Sequence, residues 1–283
     1  MRLLLLTASC CVALLACSSA QASQAALSQQ PTTSLAAEVE PTTTLAATTL
    51  ATRPLWLGQQ TLPTDPTGFA LPTETPPELT GRAFASEDTI PPPIADRFVS
   101  TISDLAGDPL ARSTWNERCP VAVADLAYVT VSFWGFDDRP HTGELIVHQS
   151  VAADMVTIFE GLYNDRYPIE EMRIVTPTDV AAAPVGDTNN TSSFVCRAVR
   201  GTTTFSEHAS GLALDINPFH NPFVKGEVVL PELASHYTDR SIDERALLHD
   251  GDPVVTAFAA IGWEWGGNWS SLKDYQHFSH NGQ

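Results

Sequence analysis

Two short segments of this 283-residue chain carry side chains that could hold a metal and move a proton. The first runs Ser206-Glu207-His208-Ala209-Ser210-Gly211-Leu212-Ala213-Leu214-Asp215, and the second is Asp274-Tyr275-Gln276-His277. A catalytic zinc takes three protein ligands and keeps a fourth position open for water, and histidine nitrogens with one carboxylate suit it. His208, Asp215 and His277 supply that set, which favours one Zn2+ ion over harder divalent cations. Asp274 stands three residues before His277, so on a helical turn the two side chains face the same way. A carboxylate there lies beside the metal-bound water without being a ligand, the place of a general base. Taken singly, a histidine is more often a surface or hydrogen-bonded residue than a ligand, and a D-x-x-H string is commonplace. Asp215 is more telling, because an unpaired carboxylate inside an apolar strand is costly. His141, His148, His220, His236, His249 and His280 lack such a setting and read as surface or structural.

The elements that must position these groups show in the hydrophobic pattern from about Trp115 onward. Val129, Val131 and Phe133 alternate along Tyr128–Trp134 as in a half-buried strand. Val151, Met155, Ile158, Phe159 and Leu162 follow helical spacing, with Ser150 as the expected cap. Arg173–Val175 reads as a second short strand. Leu212–Ile216 reads as a third, ended by Asn217-Pro218, with Ala213 and Asp215 on one face and Gly211 letting backbone come close to the site. Asp252 and Pro253 form a helix start, as N-cap and first-turn proline. That helix carries Val254, Val255, Phe258 and Ile261 and stops at Gly262. Trp263–Trp265 then reads as a strand leading to Gly266-Gly267. The expected fold class is α+β: a single domain over 112–283 with a small antiparallel sheet flanked by helices.

Composition separates this domain from what precedes it. Eleven of the 21 prolines fall between Ser23 and Ser100, amid Thr, Ala and Ser, and Pro31–Ala37 is echoed by Pro41–Ala47. Such a segment cannot bury enough apolar area to offset chain entropy, so 23–111 is expected to be an extended, disordered spacer. Local docking of Trp56, Phe69 and Phe84 is allowed for. Residues 1–22 look like an export signal: Arg2 precedes an apolar run from Leu3 to Ala16, too short for a membrane span. Two processing routes stand side by side. Leu14-Leu15-Ala16-Cys17 resembles a lipobox that would lipidate Cys17, and Ala20-Gln21-Ala22 is an A-x-A site that would free the chain into the wall. Cys119 and Cys196 are the only cysteines of the domain; in an exported protein they can pair, or remain as two buried thiols. The net charge of −18, with 33 acidic against 15 basic residues, excludes nucleic acid and anionic lipid surfaces as partners held by bulk electrostatics.

The S-x-H-x-x-G-x-A-x-D stretch resembles the signature of the D-alanyl-D-alanine carboxypeptidase family of zinc peptidases, which includes vancomycin-resistance carboxypeptidases and the L-alanyl-D-glutamate peptidases of phage endolysins. Gly262-Trp263-Glu264-Trp265-Gly266-Gly267, Trp269 and Asp274-Tyr275-Gln276-His277-Phe278 are similar to its second half. Gly143-Glu144-Leu145, Phe159, Pro168-Ile169 and Asn189–Arg197 extend the likeness over roughly Trp115 to His280. The aspartate of D-x-x-H is similar to the endolysin-type branch, where other branches carry glutamate. The resemblance implies a Hedgehog/DD-peptidase-like fold, with His208, Asp215 and His277 as zinc ligands and Asp274 as catalytic acid/base. It implies that Arg197 holds a substrate carboxylate or the developing oxyanion; a structural salt bridge is the bland alternative for that residue. Trp263, Trp265 and Trp269 are expected as core and site wall. The implied substrate is a peptidoglycan stem peptide, cut as a D-alanyl-D-alanine carboxypeptidase or between L-Ala and D-Glu, by a monomer in the cell envelope. The non-enzymatic alternative is a wall-binding domain stabilised by zinc.

Overall fold

A computed structural model describes residues 50–282 apart from Thr67 and Pro72. The signal segment and the spacer up to residue 49 lie outside the described residues. Three small antiparallel sheets and four α-helices make up an α+β domain. In chain order the elements are β1 (Ser100–Asp104), α1 (Gly107–Arg112), β2 (Leu126–Trp134), β3 (Pro140–His148), α2 (Ala152–Asn164), α3 (Pro177–Ala181), β4 (Ala213–Asp215), β5 (Phe223–Lys225), β6 (Val228–Leu230), α4 (Pro253–Ala260), β7 (Glu264–Trp265), β8 (Lys273–Asp274) and β9 (His277–Ser279).

The scaffold is the β2–β3 hairpin, in register from Leu126 opposite His148 to Trp134 opposite Pro140. Its inward residues Val129, Val131, Leu145 and Val147 meet Met155, Ile158, Phe159 and Leu162 of α2, all buried. Each such side chain removed from water contributes about 1.5–3 kcal/mol. The same core takes in Val254, Val255 and Phe258 of α4. Phe258 stacks on Phe278 of β9 with ring centroids 4.2 Å apart, so the core grips the strand that carries His277. β9 lies between β4 and β7.

Local details depart from the sequence expectation where side chains compete for backbone groups. Ser150 does not cap α2; its amide instead donates to His148 Nδ1 at 3.2 Å. Asp252 precedes α4, but its Oδ2 accepts from the His249 amide at 2.7 Å rather than from the helix. Arg173–Val175 forms no strand, because the Asn190 side chain takes both backbone groups of Arg173, at 2.9 and 3.0 Å. Gly211 has φ +69°, and a Cβ there would lie 2.6 Å from the His148 amide. The close approach it permits is therefore to β3, not to the site.

The largest departure concerns residues 50–111, expected as spacer. They wrap the domain as an arm and contribute to it: Leu79 and Phe84 are fully buried in a second core with Phe219 and Tyr237, and β1 pairs with β2. Arg82 is buried and bonds Glu170 through Nε and Nη2, both at 2.7 Å. Thr75 Oγ1 donates to the Leu233 carbonyl at 2.6 Å. Proline-rich composition fails as a guide here because the partners sit far along the chain. The arm folds on a surface made by the domain rather than on itself. Cys119 and Cys196 form a disulfide.

Candidate metal centre and active site

β4 and β9 set Asp215 directly opposite His277, and side chains opposite each other on adjacent strands share a face. His208 enters from the 3-10 turn Glu207–Ser210, which Gly211 terminates in the left-handed conformation. The three donor atoms form a nearly equilateral triangle. His277 Nδ1 lies 3.0 Å from Asp215 Oδ1, His208 Nε2 lies 3.2 Å from His277 Nδ1, and His208 Nε2 lies 3.3 Å from Asp215 Oδ1. Ligands about 2.0–2.2 Å from a tetrahedral zinc stand about 3.3–3.6 Å from each other. The triangle is therefore close to one face of that tetrahedron, and these residues could hold the ion. Both histidines are nearly buried.

Ring orientation supports the same assignment. His208 Nδ1 donates to the Ser193 carbonyl at 2.5 Å, which leaves the lone pair of neutral imidazole on Nε2, the atom facing the triangle. Ser193 Oγ in turn donates to the Ala213 carbonyl at 2.6 Å. Ser192 and Asp215 exchange both backbone hydrogen bonds, at 3.1 and 2.9 Å. The Ser192–Ser193 segment thus holds two of the three candidate ligands in place. Its contribution is a carbonyl and a ladder rung, which no residue type reveals in the sequence. Burial pushes the Asp215 carboxyl up, but His208 and His277 outweigh it and hold the group well below the usual carboxylate range.

Asp274 reaches the site by a different route from the one its spacing suggests. It lies on β8, opposite Phe223 of β5, and the turn Tyr275-Gln276 carries the chain into β9. D-x-x-H here spans two strands of different sheets, not a helical turn, because β5 and β4 recruit the two ends separately. The carboxyl is nonetheless within electrostatic reach of the ligands. Burial pushes it up to about 7; His277 and Arg197 oppose that rise, and Asp215 adds to it. Its Oδ1 is buried without a hydrogen-bond partner among the described residues. Gly266 makes room for this strand: a Cβ there would lie 2.6 Å from the Asp274 carbonyl oxygen.

Arg197 is exposed, one residue after the Cys119–Cys196 bridge; its Nη1 donates to the Ala198 carbonyl at 3.3 Å, and its positive charge opposes the rise at Asp274. Trp263 and Trp265 are core, and the Trp269 ring lies 5.6 Å from that of His277 as part of the site wall. Of the histidines left aside, His220 and His141 are buried. His220 belongs to the Arg82–Glu170 cluster, and His141 sits between Asp88 and Asp137. His208, Asp215 and His277 are the only metal-competent cluster among the described residues.

Residues 200–280 match the model of the family described as D-alanyl-D-alanine carboxypeptidase. The match takes in His208, Asp215, Asp274 and His277 and leaves Arg197 outside. No curated protein and no solved structure gives a match to the chain.

Proposed function

We propose that this chain, whose residues 200–280 match the D-alanyl-D-alanine carboxypeptidase family, is a zinc peptidase that removes the terminal D-Ala from peptidoglycan stem peptides. The observation that carries the reading is the triangle of His208, Asp215 and His277 with a buried, unpartnered Asp274 oxygen beside it. When bound there, zinc would acidify a water and polarise the scissile carbonyl. Asp274 takes the proton of the attacking water and hands it to the leaving amine. Arg197 supplies positive charge at the rim, where it can bind the substrate's terminal carboxylate or offset charge developing on the carbonyl oxygen. His208 and His277 are held rigidly by Ser193 and by the Phe258–Phe278 stack, so the ligand set needs little rearrangement.

A second reading, endopeptidase cleavage between L-Ala and D-Glu, is favoured by one feature, the aspartate rather than glutamate at position 274. The apolar run after Arg2 and its two processing motifs support an exported enzyme, either lipidated at Cys17 or released. Digestion of defined muropeptides by zinc-loaded protein, followed by mass analysis, tests the proposal. Free D-Ala supports the carboxypeptidase and a split stem supports the endopeptidase. Intact muropeptides, or full activity after chelation, would overturn the zinc peptidase reading.

A further inference from the structure

Between Cys196 and Ser206 the chain makes a short hairpin. Ala198 bridges Phe205, the Val199 amide donates to the Thr204 carbonyl at 2.8 Å, and the Ser206 amide donates to the Arg197 carbonyl at 3.1 Å. Arg197 is thus at the hairpin's base, with His208 just beyond its other end. Val199 and Phe205 are exposed, so the hairpin is not secured by burying its own apolar side chains. It is tied down at two other points. On one side of Arg197 stands the disulfide of Cys196 to Cys119. On the other, Arg200 lies over the Phe69 ring, 3.9 Å from its centroid, and its Nη1 is 3.5 Å from Glu232 Oε1.

Both partners of Arg200 belong to the docking of the N-terminal arm. Phe69 sits beside the bridge between Thr64 and Ala70, where its amide donates to Asp65 Oδ1 at 3.0 Å. The backbone carbonyl of Glu232 accepts from the arm's Thr73 at 3.2 Å. The arm is tied to the domain by other contacts as well: the Gly58 amide donates to Asp187 Oδ2 at 2.8 Å, and Leu62 donates to the Pro184 carbonyl at 2.9 Å.

We propose that Phe69 and Glu232 clamp Arg200 and so fix the hairpin whose base carries Arg197, which makes the arm a determinant of substrate affinity. The three are positioning residues, acting through Arg197 and not on the reacting atoms. The proposal rests on the peptidase reading above and on Arg197 meeting the substrate's anionic group.

The test uses the full chain loaded with zinc and a stem peptide ending in D-Ala-D-Ala. Phe69→Ala and Arg200→Ala should each raise KM about three- to tenfold, with kcat and zinc content within about twofold of the wild type. Phe69→Trp should restore KM. In an Arg197→Ala background, Arg200→Ala should change nothing further. Unchanged KM in both single variants, or an Arg200 effect that adds in full to that of Arg197→Ala, overturns the proposal. Hydrogen exchange decides the clamp without substrate: amides of 198–205 should exchange faster in Phe69→Ala, and an unaltered rate overturns it. A wild-type chain that binds zinc yet leaves the peptide intact sinks the peptidase reading and the substrate role of Arg197, while hairpin exchange still reports on the clamp.

Discussion

Among the described residues, the buried histidine–carboxylate clusters around Glu170 and around Asp215 are completed in opposite ways. Around Glu170 the charges answer each other. Arg82 binds the carboxylate through two nitrogens, Asn189 adds a third donor at 2.8 Å, and His220 donates from Nε2 to the Arg82 carbonyl at 2.8 Å while Nδ1 faces Asn189 at 3.1 Å. Around Asp215 two imidazole nitrogens and a carboxylate oxygen converge on one point, and the nearby Asp274 Oδ1 has no hydrogen-bond partner among the described residues. The first cluster is closed and joins the arm to the domain. The second has acceptors in excess, which a cation would satisfy. Residue type alone does not separate them; the difference lies in the balance of donors and acceptors.

That contrast breaks most sharply at the chemistry. His208→Ala should weaken zinc binding by more than about 100-fold, beyond the loss usual for an outer partner, and abolish turnover. Asp274→Ala should keep zinc while kcat falls about 10²–10⁴-fold. Metal analysis alongside stem-peptide turnover checks both, and zinc lost from Asp274→Ala would move that residue into the ligand set. Arg82→Ala should leave the ligand triangle intact but cost about 3–5 kcal/mol in urea denaturation, because it leaves the buried Glu170 carboxylate with only Asn189 at 2.8 Å and the long Arg53 contact at 3.8 Å. Replacing both partners with apolar residues of similar volume should recover much of that loss.

The two clusters should also titrate in opposite senses in the metal-free protein. Burial lowers His220 to about 4. As pH falls from about 6.5 to 4 the unfolded chain takes up a proton that the folded one refuses, and roughly 3 kcal/mol of stability is lost. Burial raises Asp274 to about 7. As pH rises from about 4 to 7 the unfolded chain releases a proton that the folded one keeps, and roughly 4 kcal/mol is lost. The two effects oppose each other in the wild type. Asp274→Asn should expose the acid-labile side, with stability in chelator declining from pH 6.5 to 4.5; a decline no steeper than the wild type's would count against this balance.

Where periodicity is local the sequence was a good guide. Val129, Val131 and Phe133 mark β2, the Met155–Leu162 stripe marks α2, and Val254–Phe258 marks α4, since each buries one face against a single core. The metal-competent cluster was legible for a related reason: His, His and Asp are a donor set that suits zinc, and Asp215 in an apolar strand announced itself. Asp274 was identified as a residue near the ligands but placed on the wrong element, because pairing with Phe223 across fifty residues outweighs helical spacing within four. For residues 50–111 the expected spacer gave way to a docked arm, of which only the docking allowed for Trp56 and Phe84 was foreseen. Its prolines and threonines form little structure alone, and Arg82 finds Glu170 88 positions away.

By itself, then, the sequence determined which atoms are available for chemistry and which short segments alternate or turn, because those follow from residue type and near-neighbour spacing. Only the tertiary structure decided that Asp215 faces His277 across β4 and β9, that Ser193 orients His208, and that the arm grips the hairpin bearing Arg197. Each of these depends on backbone groups or partners remote in sequence, whose meeting is set by burial of the shared core and not by any local preference.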